Sequence, residues 1–133
     1  MKITLTVNES QAQTILTALD LYSRLLMGQF DVIENVMKWR GDYKFWEQPY
    51  GHDLSEKLLK TLRRLYIPEL QRGDSWGISH PKNPAESKVA YDILQVLRHS
   101  MAWHKEPSGG YTVDFGQPIP FSQEEMCKVS VEG

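Results

Sequence analysis

The stretch Met1-Lys2-Ile3-Thr4-Leu5-Thr6-Val7-Asn8-Glu9-Ser10 opens the chain. Ile3, Leu5 and Val7 alternate with Lys2, Thr4 and Thr6. That period of two predicts a half-buried β-strand, and it is too strict for the apolar region of a signal peptide. Immediately downstream, Asn8 and Ser10 are available as helix N-caps. Ala12, Ile15, Leu16, Leu19, Tyr22, Leu25 and Leu26 then recur at intervals of three and four, which predicts a helix. Gly28 interrupts the pattern before Phe30, Ile33, Val36 and Met37 resume it towards Trp39. A glycine inside a helix costs about 1 kcal/mol relative to alanine. Gly28 therefore marks a kink, a break between two helices or a point of close packing.

Further along, Arg40 to His52 reads as a loop whose Tyr43, Phe45, Trp46 and Tyr50 are expected to pack onto the domain. Asp53 or Ser55 caps a second helix, with Leu54, Leu58, Leu62, Leu65 and Tyr66 as its apolar stripe and Pro68 as its end. Arg72-Gly73-Asp74 is a turn and Ser75 to Lys82 an irregular loop. Asn83-Pro84 is a helix start, with Asn at the cap and Pro in the first turn. The helix that follows runs to about His104 and is apolar over much of its surface, as a central helix is. Pro107-Ser108-Gly109-Gly110 stops it. Tyr111 to Phe115 alternates as a strand, and so do Cys127, Val129 and Val131. The expected fold is α+β: a small antiparallel sheet (N-terminal strand, 111–115 strand, C-terminal strand) packed on three main helices, with residues 1–133 as a single domain.

Composition bounds the function. Of 133 residues, 41% are hydrophobic and 24% charged, and the net charge is −2. These values exclude, for the chain as a whole, a strongly basic nucleic-acid binder, an acidic DNA mimic and a disordered tail. Cys127 is the only cysteine, so there is no internal disulfide. No apolar run approaches the roughly 20 residues that span a bilayer. The expected location is a reducing cytoplasm, the protein's own host or one it has entered, with no membrane partner.

No metal, cofactor or catalytic motif is expected. His99 and His104 are five apart and do not share a helix face, and no carboxylate–His pair has a ligand spacing. There is no Gly-x-Ser-x-Gly and no Gly-Lys-Ser/Thr. Anion binding is the best chemical candidate. The helix start after Asn83 offers free N–H groups and the positive end of the dipole. Ser79, His80 and Lys82 precede it, and Trp76 supplies a plane for a base. Arg24 beside Gly28, and Arg98 on the central helix, add positive charge, with His99 as a hydrogen-bonding partner. Lys57, Lys60, Arg63 and Arg64 read as the wet side of an amphipathic helix rather than a nucleic-acid surface.

Four segments stand out together: Leu21-Tyr22-Ser23-Arg24 with Gly28-Gln29-Phe30, Ser75-Trp76-Gly77-Ile78, Ala90 to His99, and Thr112-Val113-Asp114-Phe115. Together they resemble a family of small uncharacterised accessory proteins encoded by tailed bacteriophages. The resemblance implies phage origin and brings no catalytic residues with it. Phage accessory proteins of this size often counter host defences, so the expected function is a non-enzymatic sponge for a small phosphorylated, nucleotide-derived immune signal. Its site residues would be Arg24, Trp76, Ser79, Lys82, Arg98 and His99. The alternative is an inhibitor that binds a host defence protein through Tyr43, Phe45, Trp46 and Tyr50, since aromatics anchor interfaces. A nucleotide-signal hydrolase using Asp92, His99 or Asp114 is a third reading. A homo-oligomer is also expected, because the apolar helix and the aromatic segment exceed what one small core covers.

Overall fold

The computed structural model describes residues 1–38, 47–48, 51–70 and 74–133. Among the described residues four α-helices follow one another: α1 (Glu9–Leu26), α2 (Val32–Lys38), α3 (Gly51–Tyr66) and α4 (Ala85–Lys105), with a 3-10 turn at Val113–Phe115. Among the described residues there is no strand and no sheet. The α+β expectation is therefore corrected to an all-helical fold. Alternation makes a segment able to extend, but a strand exists only when a neighbour takes up its N–H and C=O groups. Residues 1–7 and 127–131 run without regular structure and find no such neighbour. Tyr111 to Phe115 closes instead into the 3-10 turn, with Phe115 N–H donating to the Thr112 carbonyl at 3.2 Å.

Local chemistry sets the ends of α1. The Asn8 side chain accepts from Gln11 N–H at 2.9 Å, and the Gln11 side chain accepts from Asn8 N–H at 2.9 Å. This reciprocal capping box satisfies two otherwise orphaned donors. At the other end Gly28 adopts φ +79°. Gly28 N–H donates to the Leu25 carbonyl and Gln29 N–H to the Arg24 carbonyl, the bonding pattern of a Schellman motif. The chain turns there into α2, so the interruption at Gly28 is a helix break. It is also a close contact, because a Cβ on Gly28 would lie 2.6 Å from Ile67 Cδ1.

α1 and α4 form the main helix pair. They run antiparallel: Ser23 near the end of α1 donates to the carbonyl of Ser87 near the start of α4 at 2.9 Å, while Glu9 pairs with Lys105 at the opposite end. Ala12, Ser23, Ser87 and Ala90 are all buried. Such small side chains allow two helices to approach closely. Leu94, Met27 and Ile67 complete the buried apolar set.

Buried polar residues of α4 hold the tail that follows it. Asp92 accepts from Phe121 N–H (2.9 Å), Ser122 N–H (3.0 Å) and the Ser122 hydroxyl (2.7 Å). Gln95 exchanges two bonds with Ile119, donating to its carbonyl and accepting from its N–H. Trp103 Nε1 donates to the Phe115 carbonyl, and the two rings meet edge to face at 5.5 Å. Residues 115–122 are thus strapped along α4 by side chains rather than by a ladder.

α3 is attached mainly near its ends. Ser55 donates to Glu34 of α2, and His52 lies 3.7 Å from the same carboxylate. Tyr66 donates to the Leu26 carbonyl at 2.7 Å and packs against Phe30. The helix begins at Gly51, so Asp53 sits in its first turn and Ser55 inside it rather than at the cap. The segment carrying Tyr43, Phe45, Trp46 and Tyr50 lies outside the described residues.

Candidate functional site

The loop from Asp74 to Pro84 leads into α4 and is built on two successive turns. His80 N–H donates to the Gly77 carbonyl at 2.9 Å, and Asn83 N–H to the His80 carbonyl at 3.1 Å. The Asn83 amide reaches back and donates to the Gly77 carbonyl at 2.7 Å, closing the loop on itself. That bond takes Asn83 out of the capping role expected from the sequence. Pro84 stands at the N-cap instead, at φ −54° and ψ 143°, with no side-chain cap bond. A proline there fixes the helical φ but offers the first-turn N–H groups no side-chain acceptor; its carbonyl accepts from Ser87 N–H at 3.1 Å.

Within this loop the Trp76 and His80 rings stack, with centroids 4.5 Å apart and planes 2° from parallel. Lys82 N–H donates to His80 Nδ1 at 3.2 Å. An accepting Nδ1 places the neutral imidazole's proton on Nε2. The Lys82 ammonium lies 5.8 Å from the Trp76 ring centroid and 3.6 Å from Glu69. Ser79 is exposed in the turn between them. The loop therefore joins three of the expected residues, Trp76, Ser79 and Lys82. It also assigns two features the sequence did not show. His80 covers one face of the indole, and the Asn83 Oδ1 acceptor is buried without a partner. The Trp76–His80 spacing was legible, but a stack needs a turn whose geometry only the folded loop supplies.

The remaining site residues stand elsewhere. Arg24 directs Nε to both Asp20 oxygens, at 3.1 and 3.0 Å, and one terminal nitrogen to Gln29 Oε1 at 2.8 Å. It thereby braces the break at Gly28. Arg98 lies 3.8 Å from Asp114 and its guanidinium 5.7 Å from the Tyr91 ring centroid. His99 is beside Trp103, with its Nδ1 buried and unpartnered. At 1.5 Å per residue, Arg98 is about 20 Å along α4 from Ala85. One chain thus presents two clusters, the loop at the start of α4 and the Arg98–His99 group far down the helix. Asp92, considered for acid–base chemistry, has both oxygens engaged by the tail. Among the described residues no group of three or more His, Cys, Asp or Glu is placed to hold a metal ion, and no helix is long and apolar enough to cross a membrane.

No protein-family model, curated protein or solved structure matches the chain.

Proposed function

We propose that the protein is a non-enzymatic, phage-encoded binding protein that sequesters a small phosphorylated, nucleotide-derived immune signal in the host cytoplasm. The observation that supports this reading best is the Trp76–His80 stack set beside Lys82 at the uncapped start of α4. A nucleotide has two chemically distinct halves, and the loop has a counterpart for each. The phosphate takes the Lys82 ammonium, the Ser79 hydroxyl and the N–H groups of the first helical turn, where the dipole favours an anion. Lys82 leaves Glu69 to do so. The base extends the existing aromatic stack.

Native mass spectrometry tests the proposal directly. The protein is incubated with extract from bacteria in which a nucleotide-signalling defence has been triggered, and bound small molecules are then released by heat. A sponge yields an adduct that is released unchanged. A bare protein with no consumed metabolite rejects the reading, and a product in molar excess over the protein replaces it with an enzyme. Stacking of a base on an aromatic residue contributes about 1–3 kcal/mol, so Trp76→Ala should weaken binding by roughly 5- to 150-fold. A ligand that fills the loop alone is unaffected by Arg98→Ala. Loss of affinity in that variant would show that the second cluster also closes on the ligand.

A further inference from the structure

Residues 2–7 and 127–132 carry one pattern twice. Ile3, Leu5 and Val7 alternate with Lys2, Thr4 and Thr6, and Cys127, Val129 and Val131 alternate with Lys128, Ser130 and Glu132. In the folded chain Ile3, Leu5 and Val131 are exposed, and so is Cys127. Neither segment joins a ladder among the described residues. A row of open N–H and C=O groups that carries apolar side chains is a template for pairing with another strand.

The two segments are complementary to each other in one register. In an antiparallel pair, directly opposed residues place their side chains on the same face. With Val7 opposite Cys127, Leu5 meets Val129 and Ile3 meets Val131, so one face is wholly apolar. On the other face Thr6 meets Lys128, Thr4 meets Ser130 and Lys2 meets Glu132, so it is polar and closes on opposite charges. A slip of one residue sets apolar against polar along the whole length. A slip of two sets Val7 against Glu125 in one direction and Cys127 against Glu9 in the other, and it parts Lys2 from Glu132 in both. A parallel pair keeps three apolar contacts but sets Lys2 against Met126.

Within one chain the two segments are anchored apart. Glu9, where residues 2–7 lead into α1, pairs with Lys105 at the end of α4. Ser122 is held by Asp92, and the Asp92 carboxylate also acts on the Cys127 thiol. Asp92 and Lys105 are thirteen residues apart on one helix, about 20 Å. We infer that residues 2–7 of one copy pair antiparallel with residues 127–132 of a second copy, reciprocally, in a two-fold dimer. The two-fold axis makes the exchange twice and leaves neither segment over for a third copy. Each chain stays all-helical, and the ladder belongs to the pair. Being between molecules, the pairing depends on concentration and leaves the stability of the dilute single chain unchanged.

The single cysteine lets the register be read on the full chain. Opposed positions on one face of an antiparallel pair are within disulfide reach. With Val7→Cys, oxidised glutathione should yield a covalent dimer of twice 15.4 kDa. Peptide mapping of the unreduced protein should show position 7 of one copy joined to Cys127 of the other. The wild type and Ile3→Cys should give no such product. In sedimentation velocity the wild type should move from monomer towards dimer across micromolar concentrations. The chain lacking residues 2–6 should stay monomeric at tenfold higher concentration. Lys2→Glu should weaken the dimer about threefold, and Lys2→Glu with Glu132→Lys should recover it. A wild type that is monomeric at every concentration overturns the inference, as does a dimer that survives the deletion. A disulfide closed within one chain overturns the second copy as the occupant. A dimer linked through Ile3→Cys and not through Val7→Cys overturns the antiparallel register.

Discussion

At Gly28 the backbone runs at φ +79°, in the left-handed region that a side chain disfavours, and the space where a Cβ would stand is taken by Ile67. Gly28→Ala should therefore destabilise the fold by about 1–3 kcal/mol, read from urea unfolding. Because the clash is with the tip of a side chain, shortening Ile67 to Val should recover part of the loss. A free energy unchanged by Gly28→Ala would mean that α1 does not end in this turn. The sequence left Gly28 open among kink, break and packing contact. The choice depended on Ile67, thirty-nine residues away, and no local pattern carries that. Asn83 shows the same limit, since Asn-Pro reads as a cap until the Asn side chain is drawn back to Gly77. Cys127 gives a second residue-scale test. Cys127 is exposed, and its partial desolvation pushes the thiol up, with the Asp92 carboxylate adding to the rise. A raised thiol holds less thiolate at neutral pH, and thiolate is the nucleophile. Cys127 should react more slowly than free cysteine with a disulfide reagent at pH 7, and the difference should close as pH rises. Faster reaction than free cysteine would contradict the assignment.

Elements were legible where their signals were local. The three-and-four spacing of α1 and α4 and the Asn8 cap lie within a few residues of the helices they define. The strap over α4 was not legible, because it depends on Asp92 and Gln95, two polar residues in a helix otherwise read as apolar. Nothing in their immediate neighbourhood says that a segment some thirty residues on will return to them. Removing the Asp92 carboxylate leaves the N–H groups of Phe121 and Ser122 without their acceptor. Hydrogen bonds to a charged group contribute roughly 1.5–3 kcal/mol each, and an unsatisfied buried donor costs about 1–3 kcal/mol. Asp92→Ala should cost about 2–4 kcal/mol, allowing for rehydration of the freed tail. Amide hydrogen exchange should locate the effect: the Phe121 and Ser122 amides should lose protection while those in the middle of α1 keep it. Uniform loss of protection would show that Asp92 supports the helix pair itself rather than the strap.

For the molecule as a whole, the distance between an α+β and an all-helical protein comes down to residues 1–7, 111–115 and 127–131. All three alternate, and the alternation was read as a sheet. In the folded chain Ile3 and Leu5 remain 81% and 70% exposed, Val113–Phe115 is a 3-10 turn, and none of the three segments belongs to a ladder. The two arrangements assign opposite energetic roles to the same residues. In a sheet, Ile3, Leu5 and Val7 would be core, and deleting them would forfeit about 1.5–3 kcal/mol for each fully buried side chain. That sum approaches the whole stability of a small domain. In the helical fold, deleting residues 2–6 removes side chains that are already in water and leaves the Asn8–Gln11 capping box at the start of α1 intact. The truncated chain should therefore fold, keep its helical circular dichroism, and lose no more than about 1 kcal/mol in urea, the scale of surface changes. Loss of cooperative unfolding on truncation would restore the N-terminal strand to the core.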